Sequence, residues 1–151
     1  MMQQELERID AARMCLSSRL VDRRIYRRHD LETQGIAVQK LDGRKRKGLF
    51  FGQLVDLSAG GARIRTNQPD IKPDQQLRVR LTLPTYAGIC PFIDTAEGSI
   101  RPKAEWTGWM AVTRVLPKPN GEYEVAGRLL DMEEVDRCML GLYLSTQPLA
   151  A

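Results

Sequence analysis

The segment DRRIYRRHD, Asp22 to Asp30, sets Arg23, Arg24, Arg27 and Arg28 within six positions. A guanidinium is permanently charged, planar and rich in N–H donors, so a cluster of them suits two-point binding of phosphate oxygens or of guanine O6 and N7, which lysine's point charge cannot reproduce. An exposed helix could carry the same run for solubility alone. A second polar constellation follows in DLSAGGARI, Asp56 to Ile64, where a carboxylate and a hydroxyl two residues apart precede a glycine pair. Glycine in such a corner supplies a positive φ or lets a ligand approach the backbone. Read alone, this stretch is an ordinary strand-joining turn.

Other chemistry has little to build on. The only histidine, His29, has no cysteine or second histidine near it in sequence, which gives neither metal-ligand spacing nor a histidine-based dyad. There is no glycine-rich nucleotide loop of the Walker or Rossmann type. The expectation is a protein that is not an enzyme and holds no cofactor. Cys15, Cys90 and Cys138 are an odd number without metal spacing, as expected of free thiols in a reducing compartment. The opening MMQQELERID lacks the basic start and apolar centre of a secretory signal, and the apolar runs are too short to cross a bilayer. Both point to a cytoplasmic protein without a membrane partner.

At 151 residues, 42% hydrophobic and 28% charged, the chain suits one globular domain with a short appendage. Net charge is +4, and it is uneven: Asp22 to Phe50 holds nine Lys and Arg against four Asp and Glu, while Asp131 to Asp136 is acidic. The positive charge is local, and an anionic partner is expected where it is concentrated.

The elements that must position these groups follow from periodicity. Leu6, Ile9, Leu16 and Leu20 recur near helical spacing and predict a helix from Gln3 to Val21 with a narrow apolar stripe. GIAVQKL and GLFFGQLVDL are β-rich runs flanking DGRKRK, whose Asp42-Gly43 marks a turn, so that GRKRKG reads as a solvated hairpin tip. GARIRT and LRVRLTL alternate apolar with polar residues and predict strands with one wet face. WMAVTRVLP and EYEVAGRLL form a hairpin across Asn120-Gly121. Residues 85–107 form a long connection with room for a small extra hairpin, and Trp106 and Trp109 at its end read as core or barrel-mouth packing. EEVDRCMLGLYL sets Val135, Met139 and Leu142 on one side of a C-terminal helix. Several short strands without helices between them predict a mainly β chain folded as an antiparallel barrel.

RxxxR followed by DxSxxG between two strands resembles the PilZ domain, the bacterial receptor module for cyclic di-GMP, and the likeness runs from about Asp22 to Leu144. The resemblance implies a six-stranded antiparallel β-barrel, residues 22–146, with a C-terminal helix and an N-terminal helical extension, residues 1–21. It implies a non-catalytic signalling role with cyclic di-GMP as ligand. Two registers satisfy RxxxR, Arg23 with Arg27 and Arg24 with Arg28; Tyr26 before Arg28 and the strand that follows favour the second by likeness to the family. The implied ligand-binding set is then Arg23, Arg24, Arg28, Asp56, Ser58, Gly60 and Gly61, with Asp56 reading the guanine N1–H and N2–H edge. Arginine directly before RxxxR goes in this family with a stacked ligand dimer, which Arg23 carries over as two ligands per chain. An unidentified protein partner would receive the signal through the N-terminal helix. Two other readings stand beside it: a small basic barrel for RNA or single-stranded DNA, disfavoured because aromatic residues are 6% and none alternates with the basic turn, and a ligand-free protein adaptor.

Overall fold

The computed structural model describes residues 27–42, 45–85, 89–94 and 98–147. The predicted helix from Gln3 to Val21 and the arginines Arg23 and Arg24 lie outside them. Nine strands and one helix follow in order: β1 His29–Asp30, β2 Ala37–Asp42, β3 Lys45–Leu57, β4 Gly61–Thr66, β5 Gln76–Thr82, β6 Phe92–Asp94, β7 Arg101–Lys103, β8 Glu105–Pro117, β9 Tyr123–Leu130 and α1 Glu134–Leu144.

Hydrogen bonding runs β3-β2-β5-β8-β9-β4 and returns from β4 to β3, so six strands close into a barrel. Every pairing is antiparallel. Closure removes most of the unpaired backbone that an open sheet would leave at its edges. The alternation in the sequence maps directly onto the wall: Ala62, Ile64 and Thr66 face inward from β4, and Leu77, Val79 and Leu81 from β5. Phe51, Leu54, Met110, Val112, Val125 and Leu129 fill the remaining interior.

The β8–β9 turn sits where Asn120-Gly121 predicts it, with Gly121 at φ +82. The long connection carries a two-stranded hairpin, β6 with β7. Helix α1 serves two surfaces. Leu140, Tyr143 and Leu144 close the barrel core, and the Tyr143 hydroxyl donates to the Pro84 carbonyl at 2.6 Å. Val135, Met139 and Leu142, the predicted stripe, pack instead with Ile93 of β6 and with Ile100. Asp136 accepts the Ile93 backbone N–H at 3.0 Å, and burial holds its carboxyl pKa above the ordinary value. Among the described residues no helix is long and apolar enough to cross a membrane.

The two tryptophans part company. Trp106 is buried at 5% exposure, as packing predicts, whereas Trp109 is 44% exposed on the outer wall. The period-two pattern explains this, because Trp106 pairs with inward Leu81 and Trp109 with outward Arg78.

Candidate functional site

A β-bulge decides where Asp56 points. Leu54 pairs with Ile64, yet Asp56 pairs with Arg63, so Val55 is an extra residue that shifts the alternation by one. Without it Asp56 would share the inward face with Leu54; with it Asp56 lies beside Arg63 on the outer wall. The two side chains form an ion pair, Arg63 Nε and Nη2 both reaching Asp56 Oδ2. Arg63 Nη1 also donates to Glu124 Oε1 at 3.1 Å, and Lys118 Nζ stands 3.2 Å from Glu124 Oε2. The hydrogen bond that Arg63 donates to Asp56 raises the Arg63 pKa above its usual value despite the opposing cost of burial. Asp56 is 1% exposed, and its Oδ1 is buried without a hydrogen-bond partner among the described residues.

The corner that follows is tied by its own atoms. Ser58 Oγ accepts the N–H groups of Gly60 at 3.2 Å and Gly61 at 3.0 Å, and the Ser58 N–H donates to the Gly61 carbonyl at 2.8 Å. Hydroxyl-to-backbone bonds of this kind fix a tight turn locally. The Gly60 carbonyl accepts the Leu129 N–H at 3.0 Å. Arg137, on α1, donates from Nη1 to the Ala59 carbonyl at 2.8 Å and from Nη2 to the Leu129 carbonyl at 3.0 Å.

Gly61 is a glycine for reasons of space. Its φ is not among the positive values of the chain, and a Cβ there would come within 2.7 Å of the Gly127 carbonyl oxygen on β9. Neither explanation drawn from sequence accounts for it: the φ is not left-handed, and what approaches the Gly61 backbone is the neighbouring strand rather than a ligand.

The arginine segment reaches this corner through backbone pairing. In β1, His29 pairs with Leu57 and Asp30 with Asp56, and the Leu31 N–H donates to the Val55 carbonyl at 3.0 Å. Arg28 directly precedes His29, whose partner Leu57 directly precedes Ser58. Arg27 and Arg28 are exposed, while Leu31, three residues on, is fully buried and anchors the segment. His29 is buried and its Nδ1 donates to the Gln147 carbonyl at 3.1 Å, a packing role rather than a ligand-facing one. Arg65 fastens the next turn, with Nη1 donating to Glu32 Oε1 at 2.7 Å and Nη2 to Gln53 Oε1 at 3.1 Å.

Of the residues singled out from sequence, Arg28, Asp56, Ser58, Gly60 and Gly61 therefore converge at one end of the barrel, and Arg23 and Arg24 lie outside the described residues. Sequence reading missed Arg63, Glu124 and Arg137. For Arg137 a signal was present, since it is the single basic residue between Asp131 and Leu144. Arg63 looked like any wet-face residue of an alternating strand, and nothing in the sequence announced the bulge. Arg128 of β9 pairs with Gly61 and is exposed, which adds a further positive charge beside the corner. No three or more His, Cys, Asp or Glu gather to hold a metal among the described residues.

The family profile described as the PilZ domain matches residues 22–92, a span that holds both the arginine segment and the corner. The chain carries a PilZ domain. Solved structures similar to it include the Bacillus subtilis inhibitor of motility, MotI/DgrA, at 18% identity and TM-score 0.57, covering 83% of this chain and 50% of that one. The K. pneumonia MrkH–c-di-GMP complex is similar at 17% identity and TM-score 0.55, covering 82% and 52%. At these identities the likeness is one of fold, and the PilZ chain spans about half the length of either neighbour. No curated protein matches its sequence.

Proposed function

We propose that this PilZ protein is a non-catalytic cytoplasmic receptor for cyclic di-GMP, whose binding orders the arginine segment and relays a signal through protein contacts. The observation that supports the reading is the β1–β3 pairing, in which the two residues directly after RxxxR, His29 and Asp30, pair with Leu57 and Asp56 at the start of DxSxxG. The ligand offers two phosphodiesters and two guanines, and arginine forks from Arg24 and Arg28 suit either, as phosphate clamps or on guanine O6 and N7. The K. pneumonia MrkH structure, described as a c-di-GMP complex, supports the ligand class.

Asp56 acts here as a buried carboxylate with one oxygen committed to Arg63 and one without a partner among the described residues. Oδ1 is the acceptor for a guanine N–H edge, while Arg63 holds Oδ2. Ser58 and Gly60 shape the corner, and Gly61 keeps the strands close. Arg23 adds a further fork, enough to offset the repulsion of four phosphates, and we assign two stacked ligands per chain. The domain occupies residues 22–146, and residues 1–21 carry the output to a protein partner.

Calorimetry with cyclic di-GMP, and with cyclic di-AMP as control, tests this reading. The expected result is saturable binding of two cyclic di-GMP per active chain, reduced to one in Arg23→Leu, and much weaker binding of the adenine analogue. Equal affinity for both dinucleotides would remove Asp56 from base recognition, and absence of binding would overturn the receptor assignment.

A further inference from the structure

The thirteen residues of β3 divide between two neighbours. Gln53 to Leu57 pair with β4, and Thr66 Oγ1 closes the junction by donating to the Phe51 carbonyl at 2.6 Å. Lys45 to Phe50 pair with β2 alone, through Leu41 with Gly48, Lys40 with Leu49 and Gln39 with Phe50. No described strand covers their other edge. An uncovered edge presents a row of N–H and C=O groups ready to receive another extended chain.

The same six residues hold the two most exposed large apolar side chains described, Leu49 and Phe50, each 65% exposed. Being consecutive, they project from opposite faces of the ribbon. The sequence adds Arg44, Lys45, Arg46 and Lys47 just before them. Basic residues on an edge disfavour parallel in-register pairing with a second copy, which would stack like charges side by side. They attract an acidic strand for the same reason. We propose that the free edge of β3, Lys45 to Phe50, is a strand-addition site for an extended acidic segment of a partner protein, with apolar guest residues against Leu49 and Phe50 and carboxylates against the basic run.

The surface lies at the end of β3 opposite the Ser58 corner, so it is independent of the dinucleotide. The test uses the full chain and a fluorescent peptide Val-Val-Thr-Glu-Glu-Glu, followed by anisotropy. Saturable binding is expected, with slowed amide exchange over residues 45–50. N-methylation of alternate peptide amides should weaken binding by at least about tenfold, because it removes backbone hydrogen bonds and leaves the charge. The Leu49→Asp, Phe50→Asp double variant should lose a similar factor. The proposal is overturned if the N-methylated peptide binds as tightly as the parent, which would mean charge adsorption only, or if no saturable binding appears with wild-type protein. It is overturned equally if sedimentation shows a wild-type dimer that the double variant abolishes, since the edge would then belong to a second copy.

Discussion

The corner at Ser58 to Gly61 and the segment from Arg27 to Asp30 adjoin on one end of the barrel, yet they are held by different means. Ser58 hydrogen-bonds within the corner, Leu129 and Arg137 hold it from outside, and Asp56 beneath it is nearly sealed from solvent. The arginine segment rests on a two-residue strand and the buried Leu31, with Arg27 and Arg28 in water. On the proposed function, a rigid half and a lightly tethered half would separate two tasks, the first supplying a fixed reading edge and the second closing over what is read. Substitutions on the two sides should therefore fail differently.

The largest expected effect is on the rigid side. Asp56→Ala leaves Arg63 beside Glu124 alone and removes a nearly buried ion pair, which should lower unfolding free energy by about 2–3 kcal/mol; the partial exposure of Arg63 keeps the loss below that of a fully buried pair. Chemical denaturation checks it, and unchanged stability would show that the pair contributes nothing net. Gly61→Val should cost about 1–3 kcal/mol, because its Cβ meets the Gly127 carbonyl and one of the two strands has to move. A melting temperature equal to wild type would mean that β4 and β9 separate freely.

The tethered side should show the reverse. Arg24→Ala or Arg28→Ala should each weaken cyclic di-GMP binding at least about tenfold, since a charge-assisted contact is lost, and Arg28→Ala should keep thermal stability because Arg28 is exposed. If Arg28→Ala lowered stability as much as Asp56→Ala, the contrast between the two halves would fail. Hydrogen exchange sharpens the same point: protection around residues 56–61 should already be high without ligand, and protection across residues 27–30 should rise with it. Equal exchange at residues 27–30 with and without ligand would mean the arginines do not close.

The smallest effect concerns Asp136, remote from the corner. Its carboxyl pKa is raised in the folded state, chiefly by burial, against partial relief from the Ile93 N–H and Lys103. The native state therefore holds its proton more tightly than the unfolded chain, and the associated stability is full below the ordinary carboxyl value and lost as pH rises through the folded value. Asp136→Asn keeps an acceptor for Ile93 and does not ionise, so the stability of wild type relative to this variant should decline as pH rises from about 4. Parallel pH profiles would contradict that assignment.

The barrel was legible because its information is local: Ala62 and Ile64, or Leu77, Val79 and Leu81, declare a face by alternation alone, and Asn120-Gly121 declares its turn. The site was legible as residue types and not as geometry. DLSAGGARI locates the corner, but Asp56 meets Arg63 through the bulge at Val55, a register event between two strands that neither strand's pattern contains. The need for glycine at Gly61 likewise depends on Gly127, far along the chain. Asp42 pairs with Lys45 as the hairpin reading requires, but the wetness of Leu49 and Phe50 beyond it depends on β4 ending before it can cover them. What alternation cannot convey is where a neighbouring strand stops.

The hydrogen bond from His29 to the Gln147 carbonyl brings together residues 118 apart in the chain, and the Gln34 amide adds a second link to the Gln147 side chain at 2.5 Å. The polypeptide thus enters and leaves the barrel through a single doorway beside the Ser58 corner. Reporters fused before Arg27 and after Gln147 should respond alike if cyclic di-GMP draws the arginine segment inward. The mechanical path is short: His29 holds Gln147, which lies just beyond the helix whose Arg137 grips the corner. Inlet, outlet and corner form one loop of contacts, a frame with two ports.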